Sequence, residues 1–262
     1  MRKLKYPLPV FLIIAGLAGF FIRREELKTA FDPSNGLSIS GAPLHTVMAI
    51  FAAAVIVIAI AFAIGMPVKY REVRPYIELF RIHGFLWYLV ILAAGVIISA
   101  SGIIYGVTEV WAYRDFSLMK VAFCVLAVIM GFIVSLMGYE TYKQREIRHS
   151  IFYVIPSVCL CLLLIIFYRE NTANPTLTSY CYRCLAYVFC ALSFYYEIAV
   201  IFKKVMPGKL IASYIAASIF EITILAEPAP LFIKLMFGAL AVTHIIKCGV
   251  LVSNLPNIKH HR

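Results

Sequence analysis

Apolar residues along the chain form eight long runs that are separated by short polar segments. A helix needs roughly 20 mostly apolar residues to cross the hydrocarbon core of a membrane. The runs predict spans at residues 7–22, 45–66, 84–106, 116–138, 150–168, 180–202, 209–226 and 231–252. The last two are divided by EPAP at 227–230, where two prolines interrupt the helix. The pattern predicts an all-α, polytopic integral membrane protein: a bundle of about eight transmembrane helices with short loops, forming one transmembrane domain over residues 1–262.

Residues 31–41, FDPSNGLSISG, carry turn signals between the first two runs. The dipeptides at 32–33 and 35–36 are typical of turns, and residues 37–40 alternate as a short strand does. We expect a small hairpin at this place. It is either a compact connector that caps the bundle or a binding loop.

Residues 75–83 predict an amphipathic helix that lies at the membrane surface. Pro75 can begin the helix, with Tyr76 and Phe80 on the apolar side and Glu78 and Arg81 on the polar side. Membrane lipids are therefore expected partners.

A stripe of small residues marks the third predicted span. Its members follow one another at intervals of four, three and four residues: Gly95, Ser99, Gly102 and Gly106. Such a stripe lets another helix approach closely. The neighbour is either a helix of this chain or one of another membrane subunit.

Composition supports the membrane assignment. Of 262 residues, 63% are hydrophobic and 14% are charged, whereas about a quarter of the residues in a soluble domain are charged. The formal charge of +11 comes from short basic runs between apolar segments rather than from one basic face. We therefore expect no nucleic-acid partner.

The basic residues predict the orientation. With the N-terminus inside, fifteen lysines and arginines fall in inner segments and five in outer segments, the latter being Arg23, Arg24, Lys28, Arg114 and Arg169. This positive-inside bias predicts a multi-pass protein of the cell membrane with both termini in the cytoplasm. The first run is short, but its small residues lie in mid-run, so a retained span is favoured over a cleaved signal peptide.

The segment LKTAFDPSNGL, which follows the first run, resembles a loop in uncharacterised multi-pass membrane proteins of Gram-positive anaerobic bacteria. The resemblance covers about a dozen residues and implies a bacterial inner membrane. It implies no activity.

Ionisable residues inside the last three spans need a reason, because charges in lipid are costly. With a rise of about 1.5 Å per residue, three acid–base couples match in depth. They are Glu227 with Lys234 at the outer end, Glu221 with His244 in the middle, and Glu197 with Lys247 at the inner end. Depth matching leaves open whether Glu221 and His244 face each other. The couples indicate either a proton or cation pathway or simple interhelical ion pairs.

Cys181 and Cys184 lie one helical turn apart at the outer end of the sixth span, with Arg183 between them to favour a thiolate. The CYRC sequence looks like the thiol pair of quinone-linked membrane oxidoreductases. Those proteins use a second outer cysteine pair, which this sequence lacks. The alternative is that both residues are packing residues.

Three functions remain open from these patterns. The first is a small transporter or permease, proton-coupled through Glu197, Glu221, His244 and Lys247. The second is a non-catalytic partner subunit or sensor that binds other membrane proteins or a second copy of the chain. The third is a thiol oxidoreductase that uses Cys181 and Cys184. Without a nucleophile elbow, a phosphate-binding loop or metal-ligand spacing, we expect no cofactor or metal site and favour the two non-enzymatic functions over the oxidoreductase.

Overall fold

The computed structural model describes residues 6–32, 34, 37–65, 76–114, 116–145, 150–171, 176, 178 and 180–255. Within these ranges the α-helices are α1 Pro7–Thr29, α2 Pro43–Gly65, α3 Tyr76–Leu79, α4 Phe85–Tyr105, α5 Leu118–Lys143, α6 Ile155–Asn171, α7 Cys181–Ile201, α8 Pro207–Thr223 and α9 Leu231–Asn254. A π-helical segment, Gly106–Trp111, extends α4. Short 3₁₀ segments precede α6 at Ser150–Val154 and follow α8 at Ile224–Ala226.

The described residues form an all-α bundle in which eight helical stretches are long and apolar enough to cross a membrane. This confirms the predicted fold class of a polytopic helical membrane protein. The largest difference from the predicted boundaries concerns α1, which continues to Thr29 instead of ending at residue 22. The polar residues at its end are helical because two of them, Arg23 and Glu26, form an ion pair inside the bundle.

Helix α8 lies at the centre of the bundle. It packs against α1, α2, α7 and α9. In an apolar 18-residue window of Pro207–Ala226, 78% of the residues are buried, compared with 22% in such a window of Pro43–Gly65. Most side chains of α8 are therefore enclosed by neighbouring helices, and buried ionisable groups on this helix must find partners in the protein.

The small-residue stripe of α4 is used within the chain. A Cβ atom added at Gly95 would lie 2.6 Å from the carbonyl oxygen of Gly131 on α5, and one at Gly131 would lie 2.3 Å from that of Gly95. Ser99 donates a hydrogen bond to the carbonyl of Val128 at 3.0 Å. The stripe thus brings α4 and α5 into backbone contact, as small residues do between membrane helices.

The described residues of the segment 31–41 agree with the predicted hairpin, because an antiparallel bridge joins Phe31 and Ser38. The amide of Asp32 donates to the carbonyl of Leu37 at 2.9 Å, and the Asp32 carboxylate accepts from the amide of Ser34 at 2.8 Å. Positions 33, 35 and 36, which carry the other turn signals, lie outside the described residues. The end of the bundle that carries this loop is called the hairpin end.

The predicted surface helix at 75–83 is only partly present. Helix occupies the four residues Tyr76–Leu79, while 81–83 are not helical and position 75 lies outside the described residues. Tyr76 and Phe80, which were expected to face lipid, are buried in the protein instead. Hydrogen bonds hold this segment against the end of α9, because the side-chain amide of Asn254 donates to the backbone carbonyls of Leu79 and Arg81, each at 3.0 Å.

Candidate functional site

The deepest polar cluster lies where the middle of α8 faces α9. The Nδ1 atom of His244 lies 2.9 and 3.0 Å from the two carboxylate oxygens of Glu221, and both side chains are fully buried. Because a short turn joins these antiparallel helices, residues at equal distances from the turn lie at the same depth. The structure brings together the two residues that depth matching selected, and their side chains face each other.

Helix α7 completes this cluster. Ser193 Oγ lies 2.7 Å from His244 Nε2 and 2.7 Å from the carbonyl oxygen of Cys190. A hydroxyl has one proton, so Ser193 either donates it to the ring nitrogen or donates it to the carbonyl and accepts from Nε2–H. The thiol of Cys190 lies beside Glu221 and His244. Cys190, Ser193, Glu221 and His244 are called the middle layer.

A second buried ion pair lies nearer α3. Nζ of Lys247 lies 2.8 and 3.0 Å from the two carboxylate oxygens of Glu197. Tyr76 and Tyr214 donate hydrogen bonds to the same carboxylate at 2.6 and 3.1 Å. These four residues are called the cleft layer, because a narrow cleft between α3, α4, α5 and α9 reaches two of them, Tyr76 and Lys247. Donors from α3, α8 and α9 therefore converge on one carboxylate of α7, which satisfies a charge that would otherwise be costly to bury.

Tyr76 is the one member of the cleft layer outside the eight long helices. Its burial, and then the negative charge of Glu197, raise the pKa of Tyr76 well above its usual range. The phenol therefore keeps its proton and acts as a hydrogen-bond donor.

A third cluster closes the hairpin end. Arg23 Nη2 lies 2.9 Å from Glu227 Oε1, and Arg183 Nη2 lies 2.8 Å from Glu227 Oε2. Glu26 accepts from Arg23 Nη1 at 2.7 Å, and its other oxygen lies 2.8 Å from His45 Nδ1. These five residues are called the hairpin layer. They connect α1, α2 and α7 to the turn that precedes α9.

The structure does not bring Lys234 to Glu227. The two oxygens of Glu227 instead form ion pairs with Arg23 and Arg183. Lys234 is half-buried on the first turns of α9. The predicted pairing of these two residues is therefore wrong.

The predicted first span ended at residue 22 and left Arg23 and Glu26 in the segment beyond it, and this boundary is wrong. Both side chains are fully buried. A signal for this was present, because the buried positions of α1 continue at spacings of three and four through Leu12, Gly16, Gly19, Arg23 and Glu26. Continuing the helix to the end of this stripe would have placed both charges inside the bundle.

The contributions of Tyr76, Tyr214 and Ser193 were also missed. Tyrosine and serine are common in membrane helices, and their spacing along the chain carries no signal for these contacts. Only the packing of α3 and α8 against α7 shows that these hydroxyls reach Glu197 and His244.

Cys181 and Cys184 are both free and half-buried. The guanidinium of Arg183, which was expected to favour a thiolate, is instead bound to the carboxylate of Glu227. The charge of this guanidinium is therefore balanced by Glu227, which weakens the electrostatic argument for a thiolate at either cysteine.

The three layers differ in which basic side chains balance the negative charge of their carboxylates. The cleft layer has one carboxylate and one lysine, and the hairpin layer has two carboxylates and two arginines. In the middle layer, His244 is the only ion-pair partner of Glu221 among the residues that the structure describes, and no lysine or arginine of that part forms an ion pair with this carboxylate. The middle layer therefore differs from the other two in having a histidine in place of a lysine or an arginine.

A narrow cleft runs between α3, α4, α5 and α9 and reaches the cleft layer. It is lined by Tyr76, Phe80, Ile82, Ile91, Gly138, Thr141, Lys247 and Val250. The Lys247 side chain lies at its base, one helical turn along α9 from His244. The opposite, hairpin end of the column is closed by ion pairs.

The three layers form one column of polar groups along α7, α8 and α9. Ser193 and Glu197 are four residues apart on α7, and Glu221 and Glu227 are six residues apart at the end of α8. Neighbouring layers are therefore separated by about one to two helical turns.

Comparison with known proteins finds no matching family model, no matching curated protein and no matching solved structure.

Proposed function

We propose that this multi-pass membrane protein is a small transporter that moves a cation along the column formed by the cleft, middle and hairpin layers, in the cell membrane of a bacterium. The observation that carries the proposal is the fully buried carboxylate of Glu221, whose only ion-pair partner within the described ranges is a histidine. A cation in this position neutralises a charge that lipid-buried protein tolerates poorly.

Energetics supports a functional origin for the column. Buried ion pairs stabilise a fold no better than apolar side chains of similar volume, because desolvation of the charges offsets their attraction. A purely structural central helix would be expected to carry small and apolar residues. Helix α8 instead places Tyr214 and Glu221 in two successive polar layers and ends beside the Glu227 ion pairs. Charges kept at this cost inside membranes mark ion pathways.

The two ends of the column supply the elements of alternating access. The narrow cleft lined by Lys247 supports entry of the cation from one end, and the paired charges of the hairpin layer support closure at the other end. Transport requires the hairpin layer to open when the cleft closes. The positive-inside bias assigns the cleft end to the cytoplasm, with both chain termini on that side. Proton coupling stays a prediction of the sequence.

The test is ion flux in proteoliposomes that contain only the purified chain. Internal dyes report H⁺, Na⁺, K⁺, Mg²⁺ and Zn²⁺ in separate experiments. We expect the wild-type chain to move at least one of these ions, and we expect Glu221→Gln to reduce that flux by about tenfold or more, since about 1.4 kcal/mol of lost stabilisation has this effect.

The matched control is Ser218→Ala, which removes a fully buried polar group of the same helix that donates only to the carbonyl of Tyr214, at 2.7 Å. It should keep wild-type flux. If Glu221→Gln and His244→Ala both fold normally and leave every measured flux unchanged, the transport proposal is abandoned.

A further inference from the structure

We infer that the middle layer binds one divalent transition-metal ion of the Zn²⁺ class, with Cys190, Glu221 and His244 as its protein ligands. The three residues come from α7, α8 and α9, and all three are fully buried. Their ligand atoms, which are one sulfur, one carboxylate oxygen and one ring nitrogen, all lie within 4.8 Å of one another. Their positions in the sequence follow no metal-binding motif, so only the packing of three helices brings this set together.

The distances suit a tetrahedral site. Zinc binds oxygen and nitrogen at about 2.0–2.2 Å and sulfur at about 2.3 Å, which places neighbouring ligand atoms roughly 3.3–3.8 Å apart. His244 Nδ1 and Glu221 Oε1 now lie 2.9 Å apart, and the sulfur of Cys190 lies within 4.8 Å of a carboxylate oxygen of Glu221 and of a ring nitrogen of His244. A metal ion between them requires the first pair to separate by about half an ångström. Small side-chain rotations on three separate helices supply this movement.

The kind of ligand selects the kind of metal. Mg²⁺ and Ca²⁺ prefer shells of oxygen atoms, whereas a thiolate with an imidazole suits Zn²⁺ and Co²⁺. The charge also fits. A thiolate at Cys190 and a carboxylate at Glu221 carry two negative charges, His244 binds as a neutral imidazole, and a divalent ion makes the buried site neutral. Binding releases the thiol proton, as it does wherever a cysteine becomes a metal ligand.

Ser193 holds the imidazole in the orientation that binding needs. Its hydroxyl lies 2.7 Å from Nε2, so Nδ1 is the ring nitrogen directed at Glu221. Partners of this kind, which bind the far nitrogen of a ligating histidine, typically change metal affinity by about 10- to 100-fold. Three protein ligands also leave a fourth position for water, as in zinc sites that exchange what they bind.

As a statement about cargo, this inference rests on the proposed transport function, whereas the binding site does not. Binding is therefore measured on the full chain purified in detergent, and transport is measured separately in proteoliposomes. After treatment with a chelator, the protein is dialysed against Zn²⁺ and against Co²⁺. We expect one ion per chain, and for Co²⁺ an absorption band from thiolate-to-metal charge transfer.

The deciding comparison is between Cys190→Ala and Cys248→Ala. Both thiols are fully buried, but Cys248 is not one of the three clustered ligands. Cys190→Ala should abolish the charge-transfer band and weaken Zn²⁺ binding by more than about tenfold, which is the smallest loss expected even for a residue behind the ligands. Cys248→Ala should keep both the charge-transfer band and the wild-type affinity for Zn²⁺. Glu221→Gln, which preserves the side-chain shape, is the second ligand variant, and Ser193→Ala should weaken binding while keeping the band.

Each outcome has a definite meaning. If the wild-type chain binds neither Zn²⁺ nor Co²⁺, or if the two cysteine variants bind equally, the metal site is overturned. If binding depends on Cys190 and Glu221 but liposomes move no Zn²⁺, the site stands and the assignment of Zn²⁺ as cargo is overturned. If liposomes move another cation and the protein binds no metal, transport stands and the metal inference is overturned.

Discussion

Arg23 and Glu227 are 204 residues apart in the chain, yet Nη2 of Arg23 lies 2.9 Å from Oε1 of Glu227. Arg23 is fully buried, and Glu227 is 2% exposed. The contact fastens α1 to the turn between α8 and α9. Because α1 also packs along α8, this ion pair decides how the first helix closes the hairpin end of the column.

Arg23→Gln should destabilise the protein by about 3–5 kcal/mol, the cost of leaving a buried charge without its partner. The variant removes one partner of Glu227 and one of Glu26. The neighbouring Arg24 is exposed, so Arg24→Gln serves as a matched control and should be nearly neutral. Thermal unfolding in detergent measures both variants. Equal thermal unfolding midpoints for Arg23→Gln and Arg24→Gln would contradict the burial of Arg23.

Tyr76→Phe should cost about 1.5–3 kcal/mol, the range for a hydrogen bond to a charged group. The hydroxyl of Tyr76 donates to buried Glu197 at 2.6 Å. Tyr88→Phe is the control, because Tyr88 is half-buried with its ring stacked on Tyr142, and the stacking is retained in phenylalanine. Unfolding in detergent and the rate of hydrogen exchange near α3 should respond only to the first variant. A Tyr76→Phe protein as stable as wild type would remove Tyr76 from the cleft layer.

The raised pKa of Tyr76 predicts how stability changes at alkaline pH. Its folded-state pKa lies above that of an unfolded tyrosine, about 10. The stabilisation is therefore fully present below about pH 10 and is lost as the pH rises through the folded-state pKa. We expect the stability of wild type to fall more steeply above about pH 10 than that of Tyr76→Phe. Parallel curves for the two proteins would contradict the raised pKa.

Gly131→Ala should destabilise the contact between α4 and α5 by about 1–3 kcal/mol. The added methyl group would lie 2.3 Å from the carbonyl oxygen of Gly95, and a backbone atom cannot turn away as a flexible side chain can. Gly238→Ala is the control, because nothing lies within 4 Å of the added carbon. That variant should be neutral or stabilised by about 0.5–1 kcal/mol through helix propensity. Thermal midpoints that fall equally in both would show that close packing is not the cause.

The orientation predicts the accessibility of single cysteines. In a background without the seven native cysteines, Ser38→Cys should react with an impermeant reagent from outside the cell, and Gln144→Cys only after the membrane is opened. Both positions are exposed and lie at opposite ends of the bundle. A reporter fused after Arg262 should be cytoplasmic. Labelling of position 144 from outside would reverse the orientation and assign the cleft to the outer face.

The sequence by itself determined the helices and the depths of their charges. Helix formation over a long apolar run is a local property, and a proline-containing turn such as EPAP at 227–230 forces the next helix back beside the last. A fixed rise per residue then assigns equal depth to Glu221 and His244 and to Glu197 and Lys247. The shared depth of each couple could be predicted because it depends only on distance along the helix axis, whereas the contact also requires the two side chains to lie on facing sides of their helices.

Tertiary structure decided everything that depends on rotation about the helix axes. Which face of α1 turns inward is set by its packing on α8 and α2, and that packing places Arg23 and Glu26 in the interior. The packing of the helices also places Arg23 and Arg183, rather than Lys234, beside Glu227. The same rotations bring Cys190 to Glu221 and His244. No local sequence pattern encodes which residues of different helices contact one another, because packing fixes the rotation of each helix only when all its neighbours are present.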